Sequence, residues 1–374
     1  MERAAATAIT GLGAYTSAVA MANLTKTAAP RLPASWGLHG ELRPAIRRGF
    51  LVSVPVAACL IADLEADDAI AGALGTAALV CGFIAFDAPA RVRARWQFAC
   101  APAAGILAAL GVLTSQTVPT AILGMGVAAA LGGYAVVVSL RMAIAGLSLV
   151  LIFLIAQGLW LEPHQAWEAL AIGTAGGLMQ AAWAAAAWAV ADRGRDRPFP
   201  PTPAGAEVLA RLRAGFDLNE MALRHALRFG AALAAGVAIY RLAGFDDHGY
   251  WVPLTILFVL KPEAGMTSER IAMRAAGTVA GLVLATALAE ALGDSVIPTT
   301  FVLTVAAALS FALLAIEYAL FTTAITVYVV LLTDTLGASA FDSAGERALG
   351  TVLGIVVAAV AFRAFGEADR KGGA

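Results

Sequence analysis

The sequence predicts an all-α, polytopic integral membrane protein of about twelve transmembrane helices in two six-helix halves, and three observations carry that reading. Of the 374 residues, 60% are hydrophobic and 14% charged, whereas soluble domains hold about 45–50% apolar and about 25% charged residues. The apolar residues fall in runs close to the ~20 residues that a helix needs to cross a bilayer. The basic residues divide between the gaps of those runs in a strongly one-sided way.

Residues 1–40 form an N-terminal cytoplasmic or interfacial segment. Its stretch 4–22 is rich in Ala, Thr and Gly and reads as an interfacial helix rather than a further span. No basic run leads into an apolar core and a small-residue cleavage site, so no cleaved signal is expected. The first membrane half occupies 41–191, with spans at 46–62, 69–86, 96–113, 118–138, 142–161 and 166–190. Residues 192–223 are polar and contain Arg195-Asp-Arg-Pro-Phe-Pro-Pro-Thr-Pro203, a cytoplasmic linker. The second half, 224–366, has spans at 225–242, 249–262, 272–291, 296–315, 318–334 and 346–365, and residues 367–374 form a cytoplasmic tail. The span at 249–262 is short and contains Pro253.

With the N-terminus placed inside, every basic residue of the 25 except Arg241 and Arg347 falls on the inner side. Translocating Lys and Arg is costly, so this split sets the orientation: a multi-pass inner or plasma-membrane protein with both termini cytoplasmic. The outer gaps are acidic, with Asp63, Glu65, Asp67 and Asp68 in the first and Asp246 and Asp247 in another, and they read as solvated loops. Trp96, Trp160, Trp167, Trp188 and Trp251 lie near span ends, where an amphipathic ring suits the headgroup zone. Cys59, Cys81 and Cys100 are scattered in apolar runs and make neither a disulfide framework nor a metal site.

Two symmetries are written into the chain. Each half opens on arginines, Arg47 and Arg48 or Arg224 and Arg228, and closes on a Gly-Thr-x-x-Gly span, at Gly173, Thr174 and Gly177 or at Gly350, Thr351 and Gly354. An even number of spans per half makes the halves parallel repeats. Within the second half, Arg274-x-x-Gly277-Thr278-x-x-Gly281 recurs as Arg347-x-x-Gly350-Thr351-x-x-Gly354, in helices of opposite direction. Upstream of the two copies, Tyr250 and Thr255 match Tyr318 and Thr323 in spacing. Spans 7–9 and 10–12 therefore read as inverted three-helix units, an architecture that can open alternately to each side. The first half has Leu170 where the repeated motif has arginine, so the second half is expected to carry the chemistry.

The run Tyr250-Trp-Val-Pro-Leu-Thr255-Ile-Leu-Phe-Val-Leu-Lys261-Pro262, continuing through Thr267, Arg270 and Arg274 to Gly277, Thr278 and Gly281, resembles the signature of the fusaric-acid-resistance (FUSC-like) family. That family groups with the aromatic acid exporters and the aluminium-activated malate transporters. The Ala319-Leu-Phe-Thr-Thr323 run, Asp334 and the Arg347 motif resemble its second block. The resemblance is specific over residues 224–365 and vague over 41–190. It implies export or conduction of organic anions, typically aromatic or other carboxylates. Many relatives carry a large cytoplasmic domain that this sequence does not display, and Lys261-Pro262 stands where members often have a Gln-Pro or similar pair.

The residues expected to line a substrate path are Lys261, Arg270, Arg274, Thr278, Arg347, Thr351, Tyr250, Trp251 and Thr255. A guanidinium binds a carboxylate through two parallel hydrogen bonds, and the two motif arginines are expected one near each mouth of a single path. Glu317 and Asp334 flank span 11 and are the candidates for proton coupling, because acids at membrane depth often serve proton relays. His164 and His248 read as ordinary loop histidines.

There is no Gly-x-Ser-x-Gly elbow, His-Glu-x-x-His or Walker loop, so neither an enzyme nor an ATP-driven pump is expected, and no cofactor or metal. Gly124-Met-Gly126 lies within an apolar span and is no dinucleotide site. The expected partners are a small organic anion and the lipid bilayer, with a homo-oligomer compatible and no nucleic acid. Beside an exporter stand a passive anion channel, a non-transporting envelope-assembly protein, and a major-facilitator transporter. Gly82, Asp87, Arg91, Arg93 and Arg95 give the last only an off-spacing echo.

Overall fold

The computed structural model describes residues 39–66, 69–159, 161–192, 205–216, 221–245, 249–260, 264–293, 295–314, 316–335 and 340–371. Among them the regular structure is helical throughout. Residues 39–187 contribute α1 (His39–Ala66), α2 (Ala69–Gly82), α3 (Ala90–Thr114), α4 (Val118–Tyr134), α5 (Leu140–Gly158) and α6 (Ala166–Ala187). A short helix, α7 (Gly205–Ala214), follows within the linker. Then come α8 (Met221–Ala243), α9 (Trp251–Val259), α10 (Ala264–Leu292), α11 (Val296–Leu313), α12 (Tyr318–Thr335) and α13 (Ala340–Lys371). The stretch 4–22, for which an interfacial helix is expected, lies outside the described residues, as does Lys261.

Local chemistry sets the helix starts. Thr117 caps α4 by accepting from the Thr120 amide, and Pro119 sits in the first turn. The Ser139 hydroxyl accepts from the Met142 amide at 3.2 Å to open α5. Glu162 donates its amide to the Gln165 side chain at 2.8 Å just before α6. Each satisfies or replaces an amide that the helix itself leaves unbonded.

Every stretch expected to span coincides with one helix, but not every helix is long enough. Among the described residues ten helices have the length and composition to cross a membrane, and Ile70–Gly82 adds a shorter apolar one. Helix α9 has 9 residues, about 14 Å at 1.5 Å per residue. It ends where Leu260 turns extended, at φ −73 and ψ 119. Helix α2 stops at Gly82 rather than running to 86; Ala85 then takes a positive φ of 53. The buried Gln97 side chain donates to the Cys81 carbonyl at 3.3 Å, supplying a partner where the helix unwinds.

A second difference concerns Asp63, expected in a solvated loop. It is 7% exposed, and a Cβ on Gly72 would sit 2.7 Å from its carboxylate. The helix α1 simply runs further than expected, to Ala66, and carries Asp63 under α2.

Small residues set the crossings, as they must where apolar side chains gain nothing by leaving lipid. Helix α3 packs on α5 and α6, α4 on α8, α9 on α13, and α10 and α11 on α12. A Cβ on Gly230 of α8 would lie 2.6 Å from the Gly126 carbonyl of α4. Gly49 of α1 is held against Ala308 of α11 in the same manner. Arg241, one of the two basic residues on the wrong side of the charge partition, has a structural task. Its guanidinium donates to the Ser115 carbonyl at 3.0 Å and ties the end of α8 to that of α3.

Candidate anion site

The site is built by four helices of the second half, and glycines determine how closely they meet. A Cβ on Gly281 of α10 would come within 2.6 Å of the Thr326 Cβ and 2.9 Å of the Thr323 carbonyl on α12. A Cβ on Gly354 of α13 would come within 2.6 Å of the Thr255 Cβ and 2.7 Å of the Val252 carbonyl on α9. The two motif copies therefore use their second glycine in matching ways, each against a threonine and the carbonyl three residues before it. Thr326, rather than Thr323, stands opposite as Thr255 does. Thr323 instead donates to the Gly277 carbonyl at 3.2 Å.

Because Arg274 precedes Gly277 by three residues and Arg347 precedes Gly350 by three, the same packing turns both arginines inward. Each is 1% exposed. Arg274 lies ten residues into α10 and Arg347 seven into α13, about 15 and 10 Å from opposite helix starts. Both face the same helix, α9: Arg347 lies against Trp251 at its start and Arg274 against Phe258 near its end.

The Arg347 guanidinium lies 4.4 Å from the Trp251 ring centroid and donates through Nη2 to Thr326 Oγ1 at 3.2 Å. That of Arg274 lies 5.4 Å from the Phe258 ring. Half-buried Arg270, one turn before, stacks on Tyr318 at 4.0 Å. Thr255, Thr278 and Thr351 are buried beside them, at 1%, 2% and 4% exposure. Tyr250 stacks on Trp251 with ring centroids 4.6 Å apart and lies within electrostatic reach of Arg347; its ring packs against Gly158 of the first half.

What sets these arginines apart is their unused bonding capacity. Among the described residues neither reaches a carboxylate within ion-pair distance. Nε and Nη1 of both guanidiniums, together with the Thr255 and Thr278 hydroxyls, are buried with no hydrogen-bond partner. Buried polar groups are almost always bonded, and a buried donor left alone costs about 1–3 kcal/mol. Positively charged N–H groups without partners are the chemistry that an anion satisfies.

Of the residues named from sequence, Arg347, Trp251 and Tyr250 are brought into one cluster, Thr255 lies against Gly354 of the Arg347 motif, and Arg270 and Arg274 lie on the rings of Tyr318 and Phe258. Glu317 and Asp334 stand half-buried at the two ends of α12. Sequence reasoning missed Thr326 and Phe258. The threonines at 322, 323 and 326 were a usable signal, since three hydroxyls within two turns of an apolar helix mark a packed face. Phe258, within an unbroken apolar run, gave none.

The first half shows the contrast. Its Gly-Thr-x-x-Gly segment has Leu170 in the arginine's place and packs directly on α3. A Cβ on Gly173 would lie 2.9 Å from the Gly105 Cα, and one on Gly177 would lie 2.7 Å from the Ala101 Cβ. Backbone meets backbone there, and no charged locus is formed.

Residues 233–361 match the family described as fusaric acid resistance protein-like. Among curated proteins, the chain is 31% identical over 152 residues to the inner membrane protein YccS of Escherichia coli K12, covering 41% of this chain and 21% of that protein. An uncharacterized protein of Synechocystis is 37% identical over 67 residues, 18% of this chain and 9% of its own length. An uncharacterized protein of Neisseria gonorrhoeae is 37% identical over 68 residues, 18% of this chain and 16% of its own. The chain thus spans about a fifth or less of the length of these relatives. No solved structure matches.

Proposed function

We propose that this multi-pass membrane protein, whose residues 233–361 belong to the fusaric acid resistance protein-like family, exports small organic anions, aromatic or other carboxylates, through the locus of Arg274 and Arg347. The observation that carries the proposal is the pair of buried guanidiniums with N–H donors left unbonded. Each can fork onto a carboxylate, and charge-assisted bonds of that kind are the strong ones. A bound anion would offset the cost of holding two cations away from water. Trp251 and Phe258, already in contact with the guanidiniums, offer the face of a ring to an aromatic substrate.

The proposed architecture is twelve spans in two six-helix halves with both termini cytoplasmic, in the inner membrane as the name of the relative YccS suggests. The motif copies on α10 and α13, each seated on a helix of the other three-helix unit, support inverted units that rock against one another. Lys261 is assigned to the same anion path, and Glu317 and Asp334, at either end of α12, to proton coupling. No enzymatic step is part of the proposal.

The test is uptake by proteoliposomes of a panel of aromatic and aliphatic carboxylates, with and without a pH gradient. Saturable carboxylate flux that the pH gradient accelerates is the expected result. Flux driven by the anion gradient alone would make the protein a channel. Absence of flux for every carboxylate would overturn the proposal.

A further inference from the structure

The linker helix α7 carries a feature unrelated to the anion site. It is pinned along the adjoining ends of α4 and α5 by two bonds: Tyr134 donates its hydroxyl to the Leu212 carbonyl at 2.6 Å, and Arg211 donates to the Val138 carbonyl at 2.5 Å. Arg211 also pairs with Glu207 one turn earlier, so its charge is used within the fold. Between α7 and the two spans runs an open groove of about 720 Å³. Its walls are Leu131, Val138, Met142, Val208, Leu212 and Phe216, with Arg213 on its lining.

The level of the groove identifies its surroundings. Leu131 belongs to the last two turns of the span Val118–Val137, and Met142 to the first turn of Leu140–Gly158. This is where hydrocarbon gives way to headgroups. Leu209 and Phe216 are 47% and 75% exposed at the same level, as apolar residues of an in-plane interfacial helix are. Arg213, two residues and about 200° of helical rotation from Arg211, is exposed.

We propose that this groove binds an anionic phospholipid, with an acyl chain laid against Val208, Leu212 and Met142 and the phosphate on Arg213. A lipid is the one species abundant at that depth that combines a long apolar chain with a negative group. Arg213 supplies the charge complement and Arg211 cannot, because Val138 and Glu207 already hold it. The site is separate from the path of Arg274 and Arg347, so it stands or falls independently of transport.

The experiment uses the full chain purified in detergent. Native mass spectrometry measures retention of phosphatidylglycerol and of phosphatidylcholine by the wild type, Arg213→Glu and Arg213→Lys. The expected result is a preference for phosphatidylglycerol that falls about fivefold in Arg213→Glu, the worth of one arginine near an anionic surface, and survives in Arg213→Lys. In parallel, Phe216→Trp reports on the place: a brominated acyl chain on phosphatidylglycerol should quench its added fluorescence, and the quenching should weaken when Arg213→Glu is combined with it. An unchanged lipid preference in Arg213→Glu overturns the proposal. So does a tryptophan at 216 that brominated phosphatidylglycerol leaves unquenched, which would mean that another segment of the chain fills the groove.

Discussion

Replacing Arg347 by methionine separates a binding residue from a structural one. In the wild type Arg347 Nε and Nη1 are buried without partners, a cost of about 1–3 kcal/mol for each group. Against this stand the bond to Thr326 at 3.2 Å, worth about 1.5–3 kcal/mol for a charged donor, and the stack on Trp251 at 4.4 Å, worth about 1–2 kcal/mol when desolvated. The terms nearly cancel. Arg347→Met should therefore unfold at the same temperature as the wild type or a few degrees higher, while carboxylate flux in liposomes falls at least tenfold. A stabilising functional-site substitution of this kind is expected where a site is strained for its ligand. A carboxylate substrate at a hundred times its dissociation constant should stabilise the wild type by about 2.7 kcal/mol and leave Arg347→Met unmoved. Both quantities are measurable by fluorescence-monitored unfolding of the purified protein. A large drop in unfolding temperature together with wild-type flux would show that Arg347 holds helices together and binds nothing.

Gly354→Ala drives a Cβ to 2.6 Å from that of Thr255, so it should lower stability by about 1–3 kcal/mol through overpacking; Gly205→Ala, with open space around it, should leave the unfolding temperature unchanged. Arg241→Ala removes the bond to Ser115 and should cost about 1–3 kcal/mol without altering span orientation, as cysteine labelling of the 192–223 linker from either side will report. Thr326→Val deprives Arg347 of its one side-chain acceptor and should change substrate affinity with little effect on folding, read as a shift in half-saturation of flux.

The element order is legible in the order of residues because lipid imposes a simple rule: a spanning helix must satisfy its own backbone and show apolar residues for about 20 positions. Where the helices depart from that rule, tertiary partners are the cause. Gln97 of α3 supplies a bond where α2 unwinds at Cys81, and no pattern within residues 69–86 announces it. The burial of Asp63 is of the same kind, since an acidic cluster beside a span end reads as solvent-facing until α2 folds over it.

The sequence by itself determined that this is a helical membrane protein and that the Arg-x-x-Gly-Thr-x-x-Gly pattern occurs twice in its apolar stretches. Those properties are local or periodic, and composition and spacing record them directly. Only the tertiary structure decided that Arg274 and Arg347, 73 positions apart, are both set against aromatic rings of α9, and that Phe258 and Thr326 are among their partners. Helix pairing in lipid is set by which small residues let two backbones approach, and a glycine shows that some helix comes close without saying which one. The crossings of α10 on α12 and of α9 on α13 settle that choice, and with it which side chains each buried arginine meets.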